Sequence, residues 1–293
     1  MKRRQIVWMT VLLCLFAASA LAAGGGKPAG YVQEAKGEAL AVRAGKSLPL
    51  AAKDAVYAGD TVATKADSSL QIMFSDGTVL AMGPESLFTV DEFVNEWGRE
   101  KTLTNTMKFT YGPGVFRAVT GIISDRNPAA FAVETPLGAI GIRGTELGSL
   151  VQAPATVNGK PYGAALAEAF SAGANAAGLV DALRQAATAG VPGEAHGHIS
   201  GWDKRPLAFT DKMGKTVDMA VGQGVTVTRE RGASDAGPMP DALATAITAA
   251  SFSRSARIPA AYKSTLGDTP GASNNGGSGG SGDHGGSSGG GCN

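Results

Sequence analysis

Over residues 31–151 the apolar positions recur in short runs cut by turn residues, not along helical stripes. Leu70, Ile72 and Phe74 alternate with Gln71 and Met73, the period of two that sends successive side chains to opposite faces of a strand. Ser75-Asp76-Gly77-Thr78 follows and the apolar run resumes over 79–82, so Asp-Gly between the two runs predicts a tight hairpin. Ala58-Gly59-Asp60 likewise predicts a turn into the β-branched run 61–64. Further strands are predicted over 87–93, 102–111, 115–119 and 131–135, the last leading through Pro136 to Ile140, Ile142 and Arg143-Gly144-Thr145-Glu146. Strands this short and this closely spaced define an all-β unit.

The period changes after Val151. Leu166, Phe170, Ala174, Ala177, Val180, Leu183 and Ala187 are three or four apart, which predicts a helix or helix pair that Gly173 and Gly178 split or loosen. Strand character returns over 198–202, 207–210, 216–220 and 225–228, so the helical stretch, about 153–193, interrupts a β domain of 30–230. Gly222 and Gly224 lack the strand-to-helix context of a dinucleotide loop and read as a turn. Within 238–256, residues 242–252 have amphipathic helical spacing, with Asp241 expected as N-cap. From 268 to 293 the chain is mainly Gly, Ser, Asn and Asp, a composition expected to stay disordered.

Composition matters chiefly at the two ends. Lys2, Arg3 and Arg4, an apolar run from Ile6 to Phe16 and Ala20-Leu21-Ala22 have the order of a secretory signal peptide, residues 1–23. The chain has 26 basic and 25 acidic residues; removing that leader leaves 26 − 3 = 23 against 25, a net charge of −2. There is no bulk electrostatic case for nucleic acid. No later segment is apolar for long enough to be an integral membrane segment. Leader loss also takes Cys14 and leaves Cys292 as the single thiol, close to the end of the tail, where intermolecular pairing is one reading and an incidental cysteine the other.

Gly30, Val32, Gly37 and Val42-Arg43, then Gly59-Asp60-Thr61-Val62-Ala63-Thr64, Ile72-Met73-Phe74-Ser75-Asp76-Gly77-Thr78 and Gly83-Pro84-Glu85-Ser86, form an ordered set that resembles the FecR-like periplasmic domain. Val133-Glu134-Thr135-Pro136 and Ile140-Gly141-Ile142-Arg143-Gly144-Thr145-Glu146 resemble the second signature block of that family, and 199–228 resembles the strands that follow it. In the family those strands come soon after the block; here the helical stretch intervenes and reads as an insertion in the roll. The resemblance implies a β-roll or sandwich of many short strands with an extracytoplasmic role in recognition, in a Gram-negative type of envelope, either periplasmic or at the cell surface. The best-known members are transmembrane regulators whose cytoplasmic region controls an iron-responsive sigma factor. Only Met1 to Gln5 precede the apolar run, so the expectation is a stand-alone exported member without anti-sigma activity. Gly59, Asp60, Asp76, Gly77, Thr78, Thr135, Pro136, Arg143, Gly144 and Thr145 are the motif positions, structural or partner-binding.

Little in the chain points to catalysis. His196 and His198 would share one face of a strand and could hold a metal with Glu194 or Asp203, but the spacing specifies no third ligand, so no metal or other cofactor is expected. Ser200, Asp203 and His198 can be written as a triad without anything to place them in reach. Asp60 and Asp76 sit in turn chemistry, where an Asp side chain accepts backbone N–H groups. Arg143, in an apolar strand, needs acceptors, with carbonyls or Glu134 expected to brace it and partner recognition as the second role. Phe109, Phe116, Phe131 and Trp97 are expected to be core residues. The sequence thus favours a non-enzymatic module that binds a protein or envelope component through strand edges or the helical insertion. The alternatives are a metal- or ligand-binding hydrolase centred on His196 and His198, and a surface or matrix protein tethered by its tail.

Overall fold

Residues 26–96, 105–142, 144–201 and 205–250 are described by a computed structural model of the protein. The chain opens with β1 (Gly30–Lys36), β2 (Ala39–Arg43), β3 (Lys46–Pro49), β4 (Ala55–Val56), β5 (Thr61–Thr64), β6 (Ser69–Phe74), β7 (Val79–Met82) and β8 (Leu87–Val94). The β6–β7 hairpin turns at Gly77, whose φ of 87° lies in the left-handed region that only a residue without Cβ enters at low cost. β9 (Thr106–Tyr111) and β10 (Gly114–Val119) lead into a short helix, α1 (Ile122–Arg126), followed by β11 (Phe131–Thr135), β12 (Gly138–Gly141) and β13 (Thr145–Val151). A small hairpin, β14 (Thr156–Val157) and β15 (Lys160–Pro161), precedes α2 (Tyr162–Ser171) and α3 (Ala176–Gly190). The chain then forms β16 (Gly193–Gly201), β17 (Leu207–Asp211), β18 (Thr216–Met219), β19 (Gln223–Thr228), β20 (Gly232–Ala233), β21 (Gly237–Pro238) and α4 (Asp241–Ala249).

The strands make two large sheets. One is ten-stranded, in the order β20-β19-β16-β13-β10-β7-β6-β1-β4 with β21 beside β19; the other is nine-stranded, β18-β17-β12-β11-β9-β8-β5-β2-β3. Neighbours in both run antiparallel except β9 and β11, which are parallel because the chain crosses to β10 in the other sheet and returns through α1. All four end strands of these paths are short: β4 and β20 have two residues, β3 and β18 four. Lys46 and Pro49 blunt β3, and at β18 the Met219 carbonyl accepts from His198 Nδ1 while the Ala220 N–H donates to Gln223 Oε1.

The core lies between the sheets. Phe74 of the ten-stranded sheet meets Phe109 of the nine-stranded sheet with ring centroids 4.8 Å apart, and Tyr111 stacks on Phe116 at 4.3 Å. Phe109 also meets Phe88 and Phe131 edge-on at 5.0 and 5.5 Å, the offset contacts that ring quadrupoles favour. Phe109, Phe116 and Phe131 are buried core residues; Trp97 lies outside the described residues.

Helices cover parts of both outer faces. Leu166, Ala169, Val180, Leu183 and Ala187 of α2 and α3 bury against Leu40 and Val42 of β2, Ala63 of β5 and Leu87 of β8. The break between α2 and α3 is the short turn Gly173–Asn175, whereas Gly178 continues α3. α4 lies on the ten-stranded sheet, where a Cβ on Gly148 would run into Ile247 and one on Gly197 into Met239. Two glycines thereby let a helix sit close to strand backbone. Pro240, not Asp241, is the N-cap of α4; it makes no side-chain cap bond, and Asp241 acts as an acidic first-turn residue.

Candidate functional site

Among the described residues, the outer face of the nine-stranded sheet is open where the helices end. Alternation places Ala132 of β11, Ala139 and Gly141 of β12, and Ala208 and Thr210 of β17 on that face, in register across three strands. With side chains this small, the surface forms a groove of about 620 Å³. Asn127, Pro128 and Ala129 after α1 wall one side, and Arg205, 3.8 Å from Asp125, contributes to the lining. A second cavity of about 390 Å³ lies between the β2–β3 end of the sheet and the α2–α3 turn, lined by Leu40, Leu50 and Phe170 among others.

Buried polar groups hold the groove from beneath. Glu194 of β16 accepts a hydrogen bond from Thr135 Oγ1 at 2.7 Å and another from the Leu137 N–H at 2.9 Å, tying the β11–β12 turn to the opposite sheet. Its Oε2 is also 3.0 Å from His196 Nε2, and His196 Nδ1 is 3.1 Å from Ser149 Oγ on β13. The imidazole stacks on Phe209 at 4.7 Å. Glu194 is 2% exposed and Ser149 and His196 are fully buried, so no substrate reaches this Ser–His–Glu arrangement from solvent.

The wall is fixed by Asp76. Its carboxylate accepts from the Thr78 N–H and hydroxyl, each at 2.9 Å, and from the Ile123 N–H, while its carbonyl accepts from the Ile122 N–H. Thr78 Oγ1 in turn accepts from the Gly121 N–H at 2.9 Å. Asp76 and Thr78 of the Asp-Gly hairpin block thereby position the start of α1. Burial pushes the Asp76 carboxyl up to about 6, against the lowering effect of its hydrogen bonds.

The remaining motif positions take up local connections. Asp60 forms a bidentate pair with Arg43 at 2.7 Å on both oxygens and accepts from the Tyr57 N–H; Arg43 also donates to the Ala55 carbonyl and lies over the Tyr57 ring. Gly59 donates its N–H to the Val90 carbonyl. Thr135 Oγ1 accepts from the Gly138 N–H across Pro136, closing the β11–β12 turn. The Thr145 N–H donates to Thr120 Oγ1, and the Thr120 N–H returns to the Thr145 carbonyl, just after Gly144. Arg143, Asp203 and Cys292 lie outside the described residues, as do 1–23 and 268–293; Glu134, proposed as a brace for Arg143, pairs with Lys108 at 2.7 Å.

The two histidines do different jobs. Both ring nitrogens of His196 are engaged, whereas His198 uses Nδ1 on the Met219 carbonyl and leaves Nε2 without a partner among the described residues. Ser200 is exposed and donates to Glu146 at 2.7 Å, away from the buried His198. Among the described residues no three His, Cys, Asp or Glu side chains gather as a metal site. The sequence offers Glu194 only as one of two possible metal partners of the histidines; the structure instead engages it in hydrogen bonds to His196, Thr135 and Leu137. The role of Ser149 was not legible, because 47 residues and the whole insertion separate it from His196.

The described residues form a mainly β sandwich with helical covers and an open stretch on the nine-stranded sheet. Within it, residues 60–158 match the model described as FecR protein. That match spans the Asp60 turn, the Asp76 hairpin, the groove wall and the β11–β13 block. The FecR family is one of signalling and regulatory proteins associated with Gram-negative envelopes. Two solved structures of a candidate anti-sigma factor from Parabacteroides distasonis ATCC 8503 are similar at 9% identity, with TM-scores of 0.38 and 0.37. The alignments cover 63% and 64% of this chain but only 62% and 64% of those structures, less than two thirds of their length. No curated protein matches the sequence. Among the described residues no helix is long and apolar enough to cross a membrane.

Proposed function

We propose that the protein is a non-enzymatic recognition module, exported to the periplasm or cell surface, that docks a protein or envelope component on the open face formed by β11, β12 and β17. The groove of about 620 Å³ carries this reading. It falls within the size range of small-molecule and cofactor sites, roughly 300–1,000 Å³. Strand edges, which with the helical insertion were the contact surfaces expected from sequence, are short and partly capped, which favours the face over the edge. Against a hydrolase stands the enclosure of Ser149, His196 and Glu194 in the sheet interior, where a nucleophile has no substrate path.

Filling the groove tests the proposal. A Cβ on Gly141 would meet only Ala208, at 3.8 Å or more, so Gly141→Trp and Ala208→Trp plug the floor without touching the core. Expected is a partner affinity at least about tenfold weaker, some 1.4 kcal/mol, with an unchanged melting temperature. Envelope cross-linking that recovers the same partners, equally well, with wild type and both variants rejects this face. The tether reading makes a separate demand: truncation of residues 271–293 should release the protein from the cell surface, and retention unchanged by the truncation argues against it.

A further inference from the structure

We propose that Glu194, His196 and Ser149 form a buried one-proton switch that sets how firmly the β11–β12 turn, which joins two of the strands that floor the groove, is held to the opposite sheet. With a neutral imidazole, Nε2–H donates to Glu194 Oε2 and the bare Nδ1 accepts from the Ser149 hydroxyl, across 3.0 and 3.1 Å. When a proton from solvent binds Nδ1, that nitrogen becomes a donor and Ser149 Oγ, which has lone pairs to offer, reverses to acceptor. Neither state breaks a contact of the network. The charge of the fully enclosed cluster changes from −1 to 0, a change felt strongly at low dielectric. Glu194 transmits it, since its Oε1 holds the Leu137 N–H at 2.9 Å and its Oε2 the Thr135 hydroxyl at 2.7 Å.

Other titratable groups surround the cluster. β11 brings Glu134, exposed and paired with Lys108; β17 brings Asp211, followed by Lys212, whose N–H donates to the Leu137 carbonyl. β16 itself brings His198, hydrogen-bonded to Met219, while β19 faces Glu194 and His196 with Val227 and Val225. His198 is therefore the group that a test has to separate from His196.

The test needs no ligand, so it stands apart from the docking reading on which the regulatory meaning of the switch rests. In the full-length protein labelled with ¹⁵N, the His196 ring nitrogens and the Leu137 amide are followed by NMR between pH 4 and 9. Expected is one shared midpoint, kept in His198→Gln, displaced in Ser149→Ala and absent from Leu137 in His196→Gln. A Leu137 amide that stays fixed while His196 titrates overturns the switch, as does a His196 ring that does not titrate in this range. The wild-type measurement alone decides the matter if a variant fails to fold. Failure of groove binding with the shared midpoint intact removes the docking reading only.

Discussion

Asp76 is a buried carboxyl whose hydrogen-bond partners are all neutral, and that gives it a defined pH signature. Its folded value, about 6, lies above the ordinary 3.8, so between the two the folded chain keeps a proton that the unfolded chain has lost. Stability from this group is therefore greatest below pH 4 and declines as pH rises to 6, by about 3 kcal/mol in all at 1.36 kcal/mol per unit. Urea unfolding at pH 4, 5 and 7 should show that slope in wild type relative to Asp76→Asn; parallel curves would sink the assignment. Asp211 works in the opposite sense: the Ala233, Lys215 and Met213 N–H groups hold it below its ordinary value, so its contribution is lost as pH falls. At Asp60 charge pairing decides the outcome. Asp60→Ala leaves the half-buried Arg43 guanidinium unpaired and is expected to cost about 3–5 kcal/mol, recovered in part in Arg43→Ala/Asp60→Ala.

At the scale of elements, what was legible depended on where each face of an element points. β6, β7 and their hairpin were readable because alternation and Asp-Gly agree, and α2 and α3 because one apolar stripe packs on β2, β5 and β8. The sequence pattern predicts β16 only from residue 198, although the strand begins at Gly193. Its first residues, Gly-Glu-Ala-His-Gly-His, carry no apolar alternation, because one face is a polar clamp and the other is cut back to glycine under α4. That packing gives a prediction. Gly197→Val forces Met239 and Leu243 outward and should undock α4 at a cost of about 1–3 kcal/mol, with proteolysis of the helix preceding loss of the sheet signal. A helix no more accessible to protease than in wild type would show that the flexible Met239 side chain absorbs the insertion.

Across the whole molecule, Phe109 joins the sheets, with rings from β6, β8 and β11 around it. Phe109→Ala is expected to destabilise the sandwich by about 3–5 kcal/mol in a single cooperative transition, whereas Ala139→Ser on the open face should stay within ±0.5 kcal/mol. Chemical denaturation that finds the two variants equal would contradict the layered core. Both sheets contribute to the candidate site: the nine-stranded sheet presents the floor, Glu194 reaches across from the ten-stranded sheet to hold its turn, and the Asp76 hairpin holds the wall.

The sequence by itself determined the strand-rich class, the helical interruption, the turn chemistry at Asp60 and Asp76, and the family signatures. These are local: periodicity, a positive φ demanded by a turn, and residue types in order all act within a few positions of the chain. Tertiary structure alone decided which sheet face stayed open, that Ser149 reaches His196 across the insertion, and that glycines on β13 and β16 seat α4. Those outcomes depend on the order of strands across two sheets, and alternation reports that a side chain points to one face without saying what will lie against it.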